Sequence, residues 1–75
     1  MIKLKKETIK VDSQAIKRAD YNYETKLLSI TFNSGKRYDY IDVPRFTFQG
    51  MRSSHSIGKF INKYILRNYK FKHVK

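Results

Sequence analysis

Between residues 16 and 41 apolar and polar positions alternate in three short runs, 16–23, 27–32 and 36–41, rich in Tyr, Ile, Leu, Thr and Phe and parted by turn-prone residues. A period of two with that composition predicts three antiparallel strands. Tyr23, Glu24, Thr25 and Lys26 would join the first pair, and Asn33, Ser34 and Gly35 the second. Gly35 supplies the positive φ that a bulged hairpin loop requires. Leu28, Ile30 and Phe32 share one face of the middle run, and Tyr38 and Tyr40 line one face of the next, so one side of the sheet is apolar and the other mixed. Residues 1–11 alternate only in part, through Ile2, Leu4, Ile9 and Val11, which is the pattern of a mobile segment or an edge strand.

Past Ile41 the apolar spacing lengthens to three or four. Pro44 suits the opening of a helix because its missing N–H has no partner there anyway, and Asp42 just before it reads as a cap. A short helix from Pro44 to about Met51 would set Phe48 and Met51 on one side. Ser53, Ser54 and Ser56 offer capping hydroxyls, and Ile57, Phe60, Ile61, Tyr64 and Ile65 then follow at offsets 0, 3, 4, 7 and 8, a single apolar stripe. Lys59, Asn62, Lys63 and Arg67 fall on the other side. The final residues alternate Tyr69, Phe71 and Val74 with Lys70, Lys72 and Lys75, as a last strand or a loose arm would. The expected fold is α+β: a small antiparallel sheet of three to four strands packed against a C-terminal amphipathic helix preceded by a short helix. Residues 1–8 would be a flexible or edge-strand segment, 9–69 the domain and 70–75 a basic tail.

Charge sharpens this picture. After Val43 there are eight cations and no carboxylate, whereas the first 42 residues hold nine cations and all six acids, within a net charge of +11. Positive charge gathered in one half of a small domain implies a polyanionic partner. A chain of 75 residues is one domain, and at this size only about 60% of the unfolded surface is buried, so the core is marginal and a homo-oligomer is one way to enlarge it. With 40% hydrophobic and 15% aromatic residues the sequence is too apolar for a disordered basic tail. It has no cysteine, no apolar run of the roughly 20 residues that a membrane span needs, and no apolar stretch after the Lys-rich start. A soluble, cytoplasmic protein that does not enter membranes is expected.

The order Val11-Asp12-Ser13, Ile16, Tyr21, residues 27–32, Ser34-Gly35, Tyr38-Asp39-Tyr40 and Val43-Pro44, then Ser56-Ile57-Gly58-Lys59-Phe60-Ile61-Asn62 and Ile65, resembles the KTSC domain. That module occurs as a free-standing bacterial and phage protein and is named for its place at the C-terminus of some lysyl-tRNA synthetases. The resemblance covers about residues 9–69. Where the family commonly has a small residue and often Pro before the final Ser, this chain has Ser54 and His55. The resemblance implies a compact α+β unit and, through the synthetase fusion, an accessory contact to RNA; it implies no established activity.

Two groups of residues are candidates for anion binding. The first is the hydroxyl-rich opening of the cationic helix: Arg52, Ser53, Ser54, Ser56, Gly58 and Lys59, where free backbone donors favour a phosphate. The competing reading is that the serines only cap the helix and Gly58 permits close packing. Lys59, Lys63, Arg67 and Lys70 recur at offsets 0, 4, 8 and 11, one ridge if the helix runs that far. Without interspersed Glu these like charges repel by a few tenths of a kcal/mol per pair, a cost that a polyanion removes. The second group interleaves aromatics with cations: Lys36, Arg37, Tyr38 and Tyr40, and then Tyr64, Tyr69, Phe71 and His73. Bases stack on such rings while cations track phosphates, although β-propensity accounts for strand tyrosines equally well.

Catalysis and metal binding are not expected. His55 and His73 are the only histidines, there is no Cys, and no acid follows Asp42 to orient either imidazole. No cofactor is implied. The expected function is a non-catalytic anion-binding module, an accessory protein for RNA or single-stranded nucleic acid. The alternative is a small phage or bacterial protein that binds a phosphorylated nucleotide signal or an acidic host protein, as an inhibitor or anti-defence factor would.

Overall fold

A computed structural model of the chain describes residues 5–74. The three alternating runs are β2 (Ile16–Asn22), β3 (Leu27–Phe32) and β4 (Arg37–Tyr40). They sit inside one antiparallel sheet of order β1-β2-β3-β4-β5, whose edges are β1 (Lys6–Lys10) and β5 (Phe71–Val74). The sheet thus has five strands, not three to four. The expected N-terminal segment contains an edge strand from Lys6 onward, and the expected basic tail is a strand from Phe71. Residues 1–4 and Lys75, which belong to those two segments, lie outside the described residues. Both edges were faint in sequence for one reason: an edge strand is laddered on one side only and tolerates charge at most positions, so its alternation is diluted.

Register assembles the core face. Tyr21, Leu28 and Tyr40 lie in one row across β2, β3 and β4, and Ala19, Ile30 and Tyr38 in the next. Two short helical elements close this face: α1 (Arg45–Arg52), which buries Phe48 and Met51, and α2 (Ile57–Phe60), which runs on into a π turn, Ile61–Ile65. Tyr21 is the hub. Its ring stacks on Phe48 with centroids 4.5 Å apart and planes at 12°, and its hydroxyl donates to the Val43 carbonyl at 2.6 Å. Burial raises the pKa of that phenol, which keeps it protonated as a donor.

The expected continuous amphipathic helix is shorter and less regular. The Leu66 N–H reaches the Ile61 carbonyl at 3.0 Å, the i→i+5 closure of a π turn. Ile61 and Ile65 are fully buried, but Ile57 and Phe60 are only half-buried and Tyr64 is 44% exposed. The apolar stripe at α spacing therefore overstates the buried face, since the wider turn changes which residues point inward. Asp42 does not cap α1 either. The cap residue is Pro44, without a side-chain bond, and Asp42 lies in the turn before it at φ 57, a left-handed conformation that Asp tolerates.

Gly58 is placed by contact, though with the loop after β1 rather than with the sheet. A Cβ there would lie 2.9 Å from Ser13 Oγ, and that oxygen is held by the Ala15 and Ile16 N–H groups. Overpacking costs about 1–3 kcal/mol. Ala regains roughly 1 kcal/mol of helix propensity. Gly58→Ala is therefore expected to lower the thermal midpoint; a higher midpoint would show that the Ser13 loop yields.

Candidate functional site

The helical segment carries its cations on the side turned away from the core. Lys59, Asn62, Lys63 and Arg67 surround one open depression of about 360 Å³. Lys59 and Lys63 also border a second, of about 580 Å³, with Ser53, Ser54, His55, Ser56 and Tyr64. The two depressions share both lysines and so form a continuous strip. Lys59, Lys63 and Arg67 are exposed, and among the described residues none has a carboxylate within ion-pair distance. The Lys63 ammonium stands 5.2 Å from the centroid of the Tyr64 ring.

The serines at the head of this strip are largely satisfied within the chain. Ser56 Oγ accepts from the Lys59 N–H at 3.3 Å. Ser54 Oγ accepts from the Ser56 N–H at 3.2 Å and donates to the Ser56 carbonyl at 3.1 Å. These are capping and turn bonds, and α2 itself is only four residues long. The capping reading thus holds for Ser54 and Ser56, and the exposed cations along the strip supply its charge.

Other expected site residues lie elsewhere. Arg52 Nη1 donates to both oxygens of Glu7 at 2.9 Å, so this cation after Val43 is offset by an early acid after all. Tyr69 is half-buried with its hydroxyl 3.3 Å from Thr47 Oγ1. Lys70 falls off the ridge because the helical segment ends at Ile65 and the chain then turns into β5, Ile41 N–H bonding the Lys70 carbonyl. Arg37 and Lys72 project from the opposite face of the sheet, where Arg37 pairs with Asp39 and Lys72 lies in register with it. The Arg45 guanidinium lies 5.6 Å from the Tyr23 ring centroid. The C-terminal cations are thus divided among several surfaces, and the strip keeps three. Tyr64, expected among the aromatics interleaved with cations, belongs to it, and so does Asn62, which was not singled out as a binding residue and whose signal was its i+3 relation to Lys59.

The Arg52 contact ties α1 to β1. Tyr23 hydroxyl also donates to Glu7, at 2.7 Å, and its ring meets Tyr21 and Phe48 edge-on. The Tyr23 hydrogen bond first, and then Arg52, hold the Glu7 carboxyl below its usual range. A depressed carboxyl stabilises the fold above the unfolded pKa of about 4.3, and the benefit disappears as pH falls through the lower folded value. The thermal midpoint is therefore expected to drop on acidification from about pH 5 to about pH 3, and to drop less in Glu7→Gln. Equal falls in the two proteins would show that this carboxylate does not secure the edge strand.

An up-and-down five-stranded sheet closed on one face by two short helical elements, with cations on the outer side of the second that have no ion pair among the described residues, defines a small α+β module bearing a basic strip. Residues 12–69 match the KTSC domain. The chain belongs to the KTSC domain family. It is 33% identical over 63 residues to a lysine–tRNA ligase of Nostoc punctiforme, an alignment that takes in 84% of this chain and 11% of the ligase. It is 35% identical over 52 residues to a protein of Tsukamurella paurometabola, covering 69% of this chain and 78% of that one. The chain thus corresponds to about a tenth of the ligase and most of the second relative. A crystal structure of a KTSC domain protein from Yersinia pestis superposes with a TM-score of 0.84 at 24% identity, over 93% of this chain and 99% of that one, a likeness of fold. No helix among the described residues is long and apolar enough to cross a membrane.

Proposed function

We propose that this protein is a non-catalytic nucleic-acid-binding module that holds the phosphates of RNA or single-stranded DNA along the strip from Ser53 to Arg67. The observation that carries this reading is the grouping of Lys59, Lys63 and Arg67 around one depression without a carboxylate partner among the described residues. Three aligned, unneutralised cations repel one another in the free protein, and a polyanion relieves that repulsion while releasing its own counterions. The open, shallow shape suits a backbone that passes through. Similarity to a segment of a lysine–tRNA ligase supports RNA as the natural polymer, since that relative's name specifies a tRNA substrate.

The test is fluorescence anisotropy with a labelled 12-nucleotide RNA over a salt series. Three phosphate contacts on a single strand predict a log–log slope of about −2, a loss of roughly 20-fold in affinity between about 50 and 200 mM salt. Lys59→Ala/Lys63→Ala/Arg67→Ala should flatten that slope towards zero. Saturable binding of one mononucleotide with little salt dependence, and no preference for the polymer, would overturn the proposal in favour of a nucleotide-binding protein.

A further inference from the structure

At the β4–β5 end of the sheet, the face that the helical elements cover continues beyond them as a row of aromatic rings. Register puts Phe71 beside Tyr40 and His73 beside Tyr38, all four on the core side of the sheet. Tyr40 is buried, yet Phe71 is 53% exposed and His73 is exposed too. His73 stacks on Tyr38 with centroids 4.8 Å apart and planes at 29°, while Phe71 meets the same Tyr38 edge-on at 5.3 Å and Phe32 does so at 5.6 Å on β3. Tyr38 and Phe32 also wall an open depression of about 380 Å³ whose rim includes Lys36, Asn33 and Ser34. An edge strand of this charge has no need of a solvent-facing Phe for folding, and Phe71 and His73 lie outside the 12–69 family match. Cross-strand packing on Tyr38 and Tyr40 uses one side of these rings and leaves the other side open.

We infer that this ledge is a stacking platform for unpaired bases, so that the ligand is single-stranded and is bound on two subsites: phosphates on the Lys59–Lys63–Arg67 strip, bases on Phe71 and the His73–Tyr38 stack. The inference rests on the phosphate-binding reading of that strip. Both subsites lie on the helix-bearing side of the sheet, and Arg67 is four residues from Phe71 in the chain, at most about 14 Å between Cα atoms. One strand can therefore run from the strip onto the ledge. Rings flanked by cations suit bases joined by phosphates, because every base has a π face whereas a duplex offers none sideways. A second copy of the chain is a poorer occupant, since Lys70 and Lys72 would place like charges along a shared β5 edge.

The experiment compares a (dT)12 oligonucleotide with a 12-unit abasic oligomer carrying the same phosphates, on the full chain and on Phe71→Ala/His73→Ala. Stacking worth about 1–3 kcal/mol per base corresponds to about 5- to 140-fold in affinity. The parent should prefer (dT)12 by at least that lower factor, and the double substitution should remove the preference while leaving abasic binding and its salt slope unchanged. Because the chain has no Trp, Phe71→Trp adds a single reporter at an aromatic position, and its fluorescence should be quenched by (dT)12 but not by the abasic oligomer. That measurement decides the matter if the alanine variant fails to fold. Equal affinity of the parent for both oligomers, or an unquenched Trp, overturns the platform while the salt-dependent strip stands; absence of salt-dependent binding to either oligomer overturns both.

Discussion

Phe48→Ala is expected to leave the protein largely unfolded under mild denaturing conditions. Phe48 is fully buried on α1, stacked on Tyr21 and met edge-on by Tyr23. Truncating such a ring costs about 3–5 kcal/mol through lost transfer energy and the residual cavity. The Tyr21 ring would lose the surface that orients its 2.6 Å bond to the Val43 carbonyl, and an unsatisfied buried group costs about 1–3 kcal/mol more. A 75-residue domain has a stability of about 4–11 kcal/mol at usual values per residue, so the loss takes half or more of it. Urea unfolding followed by circular dichroism reads the change. Phe46→Ala supplies the contrast, because Phe46 is two positions earlier in the same helix and 75% exposed. If the two variants lie within about 1 kcal/mol of each other, the docking of α1 on the sheet is wrong.

Lys59→Glu/Lys63→Glu/Arg67→Glu is expected to abolish RNA binding at about 150 mM salt while leaving the melting transition close to the parent's. Reversal removes three phosphate contacts and adds three repulsive ones. Stability should change little, since like charges at i and i+4 cost a few tenths of a kcal/mol whichever sign they carry. The necessary control is Lys10→Glu/Lys17→Glu/Lys26→Glu, which alters net charge equally at three exposed positions on β2, its partner strand and a turn. Affinity in that control should fall by much less. Equal losses in both triples would show that overall charge, and not the strip, attracts the polymer.

The paired substitutions also distinguish charges that bind from charges that build. Arg52 looked like a member of the anion site because no acid is near it in sequence, yet Glu7, 45 residues away, takes both of its contacts. Arg52→Ala is accordingly a substitution that loosens the edge strand. Tyr69 carries the same lesson: it follows the ridge in sequence, but its hydroxyl is turned to Thr47 on α1.

Local chemistry made the three central strands, the Gly35 turn and the two helical elements legible. Leu28, Ile30 and Phe32 alternate at the pitch of a strand, and Gly35 does adopt φ 93. The edge strands were less visible, because half of an edge strand's residues may be charged without penalty. The π turn was invisible, since Ile57, Phe60, Ile61, Tyr64 and Ile65 fit an α stripe and nothing in their identities announces an i→i+5 closure. For the site, Lys59, Lys63 and Arg67 do surround one depression, as their spacing of four suggested, although the π turn intervenes and Arg67 lies past the end of the helical segment. Lys70 was misplaced with them because the end of the helical segment depends on where β5 pairs.

The amino-acid order alone determined the class of fold, from periodicity and turn residues, the gathering of cations after Val43, from counting, and the family, from the order of its motifs. Tertiary structure decided which cations have no ion pair among the described residues. Ion pairing and strand register act between residues distant in the chain, so only the folded molecule could assign Arg52 to Glu7, turn Arg37 and Lys72 to the far face and leave Lys59, Lys63 and Arg67 as one strip.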